Sequence, residues 1–375
     1  MSKPRQTSQR TTTLCATVAI LIVAMACAAS AATASFIGPL NTVNTVASTI
    51  PGIGDVNPYG VALVPVSTGK LVQGHILISN FNNSANLQGT GRTIVDIAPD
   101  GAFQLFAQID PNSLPGSCPG GVGLTTALVV LRTGWVIVGS LPTADGTAAT
   151  AQSGCLLVLN SQGQVVETFS GGPINGPWDM TALDGGSVVE LFFTNVLNGT
   201  VAANGKVVHR GTVARFLLSV SSSQMPSLLL STVIGSGFPT RTDPAALVIG
   251  PTGLALDAFG EHLYVNDSLS NRVAAILHPV FRRSTAGRGK TVSRGGFLND
   301  PLGLTLAPNG DLIAANGNDG NPVEVTPRGK QVAEKLVDNT GGPPPGAGTL
   351  FGLIALPDHV YFVDDGSNTL NVLQQ

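Results

Sequence analysis

Short apolar runs rich in Val, Leu and Ile alternate along the chain with turns rich in Gly, Pro, Asn and Asp. Apolar runs of about four to eight residues between such turns are typical of β-strands. Long stretches rich in Glu, Lys, Ala and Leu, which would favour helices, are missing from the sequence. The pattern therefore predicts an all-β protein.

The predicted strands recur in a repeated unit. Each unit begins with a segment related to Pro-x-Gly, and its second strand ends in a polar residue. The opening segments are Pro58–Leu63, Val122–Leu128, Pro177–Leu183, Pro251–Leu256, Pro301–Leu306 and Leu350–Leu356. Four-stranded units of ~40–50 residues, here with loop insertions, are the signature of a β-propeller. Six units fill residues 35–375, which predicts a single six-bladed propeller domain.

The last unit contains only three strands before Gln375. We expect the run TVNTVAST, Thr42–Thr49, to pair with this unit as its outer strand, because that closes the ring and protects an open edge. Two packed β-sandwiches are the alternative, since strand periodicity alone does not distinguish the two folds.

The fourth unit resembles an NHL-type repeat. Its sequence, PTGLALDAFGEHLYVNDSLSNRV at Pro251–Val273, combines Pro-x-Gly, an apolar strand, a turn, an aromatic strand and Asp-x-x-x-Asn-Arg. The fifth unit is similar but lacks the Arg after its turn. The resemblance implies the propeller fold and no particular chemistry.

The third unit is distantly similar to the gluconolactonase and senescence-marker propellers at Asn175–Asp179. In those families a Glu just before the Gly-Pro pair is a metal-binding acid, whereas this chain has Asn175 there. The resemblance implies the fold, and the departure at Asn175 weakens the case for a lactonase.

Polar ends of the second strands are expected to meet on one face, because each first strand starts on the face to which the second strand returns. We call this the ring face. The predicted ring around the central channel is Asn80, Ser140, Asn195, Asn266, Asn316 and Asp364. The candidate ligand contacts are the ring residues other than Ser140, together with Trp178 and Asp179. We expect Asp267 instead to serve the Ser268–Asn271 turn through its carboxylate.

Asp179 is an acid at a position where most other units have Gly. Carboxylate and amide oxygens are the ligands that Ca²⁺ prefers. The candidate metal set is Asp179, Asn195, Asn266, Asn316 and Asp364. A polar, water-filled channel is the alternative, and no cofactor other than Ca²⁺ is indicated.

Catalytic signatures are not apparent in the sequence. The histidines that follow the first 34 residues do not fall at the ring face, and the chain contains no Gly-x-Ser-x-Gly, His-Glu-x-x-His or phosphate-loop motif. We therefore favour a binding or scaffold module that recognises a small molecule, glycan or protein at the channel mouth, helped by the loops Leu141–Gly154 and Asp338–Thr349. A Ca²⁺-dependent lactonase or esterase is the alternative.

Residues 1–34 form a predicted signal peptide. Lys3, Arg5 and Arg10 precede the apolar run Leu14–Ala29, and small residues suitable for cleavage follow. The run is shorter than the ~20 residues of a membrane-spanning helix, and a retained anchor is the alternative. We expect an exported protein, periplasmic or extracellular, without a membrane span after the signal is removed.

Charge and cysteine content fit this location. Loss of the three basic residues of the signal segment leaves 16 Lys and Arg against 22 Asp and Glu, a net charge of −6, which argues against nucleic-acid binding. We expect the basic stretch Phe281–Arg294 to be a solvated loop. Cys118 and Cys155 are an even pair in an exported chain and predict one disulfide, with two free thiols as the alternative.

Overall fold

Twenty-five strands build six antiparallel sheets in the part of the chain that the computed structural model describes, residues 1–2, 34–244 and 246–375. The sheets are blades around a central axis, and the first strand of each blade contacts the first strands of both neighbouring blades. The fold is the predicted all-β, six-bladed propeller. Most of the predicted signal peptide lies outside the described residues.

Blades one to three differ in size. Blade one contains β2 (Val56–Leu63), β3 (Ile76–Asn82), β4 (Thr93–Ile97) and β5 (Phe103–Gln108). Blade two contains β6 (Leu124–Val130), β7 (Val136–Ser140), β8 (Leu156–Leu159) and β9 (Val165–Phe169). Blade three has a fifth strand and contains β10 (Pro177–Asp184), β11 (Val188–Asn195), β12 (Val208–Ser219), β13 (Ser227–Asp243) and β14 (Leu247–Ile249).

Blades four to six each have four strands. Blade four contains β15 (Pro251–Leu256), β16 (His262–Asp267), β17 (Arg272–Leu277) and β18 (Lys290–Arg294). Blade five contains β19 (Pro301–Leu306), β20 (Leu312–Asn316), β21 (Pro322–Val325) and β22 (Gln331–Glu334). Blade six contains β23 (Leu350–Ala355), β24 (Val360–Asp364), β25 (Thr369–Gln374) and β1 (Thr42–Ser48).

The helical content of the described residues is limited to short 3₁₀ turns. These are Ala148–Thr150, Val201–Ala203, Ser268–Ser270 and Pro279–Phe281. In the same part of the chain no helix is long and apolar enough to cross a bilayer.

The N-terminal strand closes the ring. β1 pairs antiparallel with β25, from Thr42 opposite Gln374 to Ser48 opposite Thr369. Because β25 is the third strand of blade six, β1 supplies the missing outer strand and covers its edge. The prediction that the run Thr42–Thr49 completes the last blade is confirmed.

Glycines near the start of the first strands let neighbouring blades approach backbone to backbone. A Cβ atom on Gly303 would lie 2.1 Å from the Phe351 carbonyl oxygen, and one on Gly352 would lie 2.2 Å from the Tyr59 carbonyl oxygen. Real Cβ atoms essentially never come within 3.0 Å of another heavy atom. The repeated Pro-x-Gly pattern therefore meets a packing requirement at the propeller axis.

Side chains near the ends of three second strands also join neighbouring blades. Ser79 and Thr194 each donate a hydrogen bond to a first-strand carbonyl of the next blade, at 2.7 and 3.0 Å. Asn266 donates to two such carbonyls, those of Leu302 and Gly303, at 3.2 and 2.9 Å. These bonds satisfy carbonyl groups that are buried at the axis.

Strand register separates Asn266 from the rest of the predicted ring. In each blade, one residue of the second strand pairs with the Pro of the Pro-x-Gly pattern or with the equivalent first-strand residue. These second-strand residues are Asn80, Ser140, Asn195, Asp267, Asn316 and Asp364. In blade four this position thus belongs to Asp267, and Asn266 lies one residue earlier. The sequence did not separate the two because both residues of the Asn-Asp pair are polar.

Asp267 anchors a buried ion-pair cluster. Its Oδ2 accepts hydrogen bonds from Arg272 at 2.9 and 3.1 Å and from Arg288 at 2.7 Å. The Ser268–Asn271 turn is closed by its own main chain, so the role expected for Asp267 in that turn is wrong. Within Phe281–Arg294 the side chains of Arg283, Lys290 and Arg294 are exposed, as expected of a solvated stretch, whereas Arg288 pairs with Asp267 and the last five residues form β18 instead of a loop.

A disulfide joins Cys118, in the loop before β6, to Cys155 beside β8. The two Cα atoms are 5.2 Å apart, within the ~4.4–6.8 Å range of disulfides. The predicted pairing is confirmed.

Gly303→Ala should destabilise the protein by about 2–4 kcal/mol, because the added methyl group meets main-chain atoms that cannot move independently. The measurement is the urea dependence of unfolding. Gly52→Ala is the matched control, since a Cβ there has no atom within 4 Å. Equal stability of the two variants would contradict the packing argument.

Replacing Cys118 and Cys155 together by Ala should lower the free energy of unfolding by about 3–4 kcal/mol, because the unfolded chain regains the entropy of an open loop of 37 residues. Equilibrium unfolding of the variant and of the oxidised protein gives the difference. A difference near zero would show that the bridge contributes no net stability.

Candidate functional site

Amide side chains of the ring face bind the loops of their own blades. Asn195 Oδ1 accepts hydrogen bonds from the main-chain N–H groups of Asn175 and Gly176 at 2.9 and 3.2 Å. Asn316 Oδ1 accepts one from Asn299 at 3.0 Å. These amides therefore hold the loops that lead into the first strands. Their contact with a ligand stays a prediction.

The remaining ring residues are buried in the same way. Asn80, Ser140 and Asn266 are 0 % exposed and Asp364 is 8 % exposed. Burial, followed by the nearby charge of Asp338, raises the pKa of the Asp364 carboxyl. The ring therefore surrounds the axis without an open surface of its own.

An aromatic plug fills the channel at the ring face. The Tyr59 ring stacks on Phe81 and Phe351 with centroid distances of 4.5 and 4.1 Å, and Trp178 lies 6.3 Å away. Trp178 is only 3 % exposed. The mouth at which we expected a ligand is thus closed by the protein itself.

A hairpin of blade three covers this plug. β13 continues past the blade and pairs with β14, from Arg241 opposite Ile249 to Asp243 opposite Leu247. Leu247 packs with the plug, and the space left between them is about 10 Å³, room for about one water molecule. The long uncharged run that precedes Arg241 is the sequence signal for this strand.

The channel is accessible from the opposite side, which we call the turn face, where the first strands end. Residues at the starts of the first strands are buried, whereas those at their ends are partly exposed. A cavity of about 350 Å³ lies between them. Its walls include Leu63, Leu128, Asp179, Met180, Asp184, Leu254, Leu304 and Ile354.

Asp179 is the ionisable residue deepest in this cavity. It is 8 % exposed, and its Oδ2 accepts a hydrogen bond from the main-chain N–H of Leu254 in the next blade at 2.8 Å. Burial raises the pKa of the Asp179 carboxyl to about 8, and hydrogen bonds from main-chain N–H groups oppose that rise. At neutral pH this carboxyl therefore carries a proton most of the time.

Asp184 lies at the other end of β10, near the rim of the cavity. Its two oxygens accept the main-chain N–H groups of Arg132 at 2.6 Å and of Gly186 at 2.8 Å. The cavity lining that the structure describes contains no Lys, Arg or His. A ligand in the channel would thus meet a mixed surface of aliphatic side chains and polar groups, which include threonine hydroxyls and two carboxyl groups.

Two further cavities flank the hairpin on the ring face. One of about 410 Å³ borders the loop Leu141–Gly154, and one of about 200 Å³ borders the loop Asp338–Thr349. Asp243 lines both cavities, and Asp300 lines the smaller one. Burial, followed by the charge of Asp243, raises the pKa of Asp300 to about 6. Both loops that the sequence suggested for recognition therefore border open space.

The candidate metal set is not drawn together by the strands. Asp179 faces the channel, while the predicted amide ligands bind loops and neighbouring strands. Among the described residues, no three His, Cys, Asp or Glu side chains are placed to hold one metal ion. The histidines with an acidic partner pair as His75–Asp96, His262–Asp257, His278–Glu261 and His359–Asp358. Calcium binding stays a prediction.

Comparison with known proteins supports the fold. No family model matches the chain, and no curated protein sequence matches it. A gluconolactonase from Xanthomonas campestris is similar in structure, with a TM-score of 0.52 and 14 % identity over 88 % of each chain. A luciferin-regenerating enzyme has a TM-score of 0.52 and 12 % identity, covering 89 % of this chain and 95 % of its own. A chain of a nidogen/laminin complex has a TM-score of 0.49 and 13 % identity, covering 82 % and 88 %.

The gluconolactonase and the luciferin-regenerating enzyme support the class that the model shows, a six-bladed β-propeller. The resemblance inferred from the repeats is therefore confirmed for the fold. Identities this low show a shared fold and no shared substrate.

Asp179→Asn should change the pH dependence of stability. The folded protein holds a proton on Asp179 up to about pH 8, whereas the unfolded chain releases it near pH 4, so the unfolded state binds fewer protons between these values. Stability of the wild type should therefore fall with rising pH relative to the variant, by up to about 1.4 kcal/mol per pH unit, and level off above pH 8.

Thermal and urea unfolding of both proteins from pH 4 to pH 9 measures this difference. Asp179→Gly, which installs the residue found in most other blades, should show the same profile as Asp179→Asn. Parallel profiles for the wild type and both variants would show that Asp179 titrates normally.

Proposed function

We propose that this protein is an exported binding protein that holds a small, largely apolar molecule in the channel cavity open to the turn face. The observation that carries the proposal is the Asp179 carboxyl, which is buried in the channel wall with no basic side chain among the described lining residues. Ligand pockets are typically apolar with a few well-placed polar groups.

A carboxyl group at this place is costly for the fold. Burial of an acid without a charged partner disfavours its ionised form, which the raised pKa of Asp179 reports. Blades one, four, five and six have Gly at this position, so the propeller forms without a carboxyl there. Strongly perturbed acids in cavities are enriched at functional sites.

The size and the walls of the cavity fit a small molecule. A volume of about 350 Å³ lies within the ~300–1,000 Å³ range of ligand sites. The plug of Tyr59, Phe81, Trp178 and Phe351 closes one end, so a ligand enters and leaves at the turn face. This moves the proposed site away from the ring-face mouth that the sequence suggested.

Export is supported by two features. Residues 1–34 have the composition of a signal peptide, and the Cys118–Cys155 disulfide is of the kind that persists in oxidising compartments. The mature protein would then meet its ligand in the periplasm or outside the cell.

Hydrolysis of an ester or lactone is the second candidate. The observation that favours it is again Asp179, because an acid that keeps its proton near pH 7 is suited to protonate a leaving group. A Ca²⁺ ion bound beside it would supply charge stabilisation for such a reaction. This candidate requires turnover, which simple binding does not.

The neutral naphthalene dye prodan tests channel binding. We expect one bound dye per chain, with blue-shifted emission, because most of the side chains that line the cavity are aliphatic. Thr305→Trp should abolish this binding, since Thr305 lines the cavity. Thr232→Trp is the matched control, because Thr232 is also half-buried but lies on β13. Dye binding that survives Thr305→Trp would contradict the channel site.

An activity assay with Asp179→Asn separates binding from hydrolysis. A panel of lactones and esters, assayed with and without millimolar Ca²⁺, should show no turnover above the uncatalysed rate if the protein only binds. Turnover that Asp179→Asn removes, accompanied by a Ca²⁺-dependent rise in melting temperature that this variant lacks, would establish the hydrolase instead.

A further inference from the structure

The first strands of the six blades, which surround the channel, contain few titratable side chains. Among all their residues, the titratable side chains are Tyr59, Asp179 and Asp184. Tyr59 belongs to the plug, so the wall of the cavity offers two acids and no base. Any charge that a ligand brings into this channel is therefore favoured only if it is positive.

Asp179 lacks a cationic partner on every element packed against it. Its strand β10 contacts β6, β7, β11 and β15. β6, β7 and β15 carry no charged residue, and Glu190, the charged residue of β11, lies 3.4 Å from Arg215 of β12. The hydrogen-bond donors to Asp179 are main-chain N–H groups. A cation is the group that would restore the charged form of this buried acid.

The cavity walls around Asp179 determine which chemical groups can be attached to such a cation. Most of the lining side chains are aliphatic, from Leu254 and Leu304 near the acid to Leu63 and Ile354 toward the turn face, and polar groups contribute at least as much of the surface exposed to the cavity. Along β10, Asp179 and Asp184 are five residues apart, about 16 Å in an extended strand. The charged group thus sits at the closed end and an extended apolar chain runs toward the opening.

We propose that the channel binds a primary alkylammonium ion, with the ammonium group on the Asp179 carboxylate and the unbranched aliphatic chain along the leucine-rich wall. This inference rests on the proposed function and specifies its ligand class. Hydrophobic burial of the chain supplies affinity, and the buried charge pair supplies selectivity for an amine over an alcohol or an acid of equal length.

Proton release follows from this arrangement. Asp179 has to lose its proton before it pairs with an ammonium ion, and with a pKa of about 8 roughly a tenth of the molecules are ionised at pH 7 and roughly nine-tenths at pH 9. An alkylamine stays protonated over this range, as a Lys side chain does. The observed affinity should therefore rise about tenfold from pH 7 to pH 9.

Calorimetry with n-octylamine, 1-octanol and octanoate tests the proposal. At pH 9 the amine should bind at least about tenfold tighter than the alcohol, and the acid should not bind, since one opposed or matched charge in a buried site changes affinity by at least this factor. The alcohol should bind equally at pH 7 and pH 9. Amine and alcohol of equal affinity would overturn the amine class while leaving channel binding intact.

Variants locate the charge pair. Asp179→Asn should reduce the amine to the affinity of the alcohol and remove its pH dependence, while 1-octanol binding remains. Asp358→Asn is the control for surface charge at the turn face, because its side chain is 85 % exposed, and it should behave as the wild type. A preference for the amine that persists in Asp179→Asn would overturn the proposal.

Failure of the proposed function has a different signature. If neither octylamine nor octanol binds and prodan does not bind either, the channel holds no small molecule and both proposals fall. If prodan binds in a manner sensitive to Thr305→Trp and octylamine does not, only the alkylammonium inference falls.

Discussion

Close approach of the six first strands at the axis is the constraint on which the rest of this propeller depends. Neighbouring blades come so near that a side chain at Gly303 or Gly352 would meet the next backbone at little more than 2 Å. Blades two, four and five then offer first-strand carbonyl groups to hydroxyl or amide side chains of the preceding blade, as at Ser79 and Asn266. The Gly of the Pro-x-Gly repeat is the sequence feature that permits this close approach.

Asp179 departs from that constraint and thereby marks the channel. Where four other blades have Gly against their neighbours, blade three has a carboxyl group that accepts a hydrogen bond from the Leu254 N–H group. The local geometry is preserved, because the acid replaces a close backbone contact by a hydrogen bond. Burial raises the pKa of the Asp179 carboxyl. The same carboxyl is a polar group at the closed end of a cavity that is lined mostly by aliphatic side chains.

The hairpin of β13 and β14 decides which face of the propeller is open. By packing Leu247 onto the aromatic rings around Tyr59, it seals the end of the channel at which the polar residues meet. The polar residues at that end stabilise loops and strands of the propeller. Asn195 and Asn316 hold the loops before the first strands, and Asp267 pairs with Arg272 and Arg288.

The sequence by itself determined the all-β class, the six blades, the closing strand at Thr42 and the Cys118–Cys155 bridge, because each follows from local periodicity or from pairing that the repeat imposes. It also singled out Asp179 as the acid in a Gly position. Only the tertiary structure decided that the ring face is plugged, that Asp267 rather than Asn266 shares the register of the ring, and that the channel opens at the turn face. These features depend on the long-range packing of the β13–β14 hairpin and on a difference of one residue in strand register. Neither produces a periodic pattern along the chain.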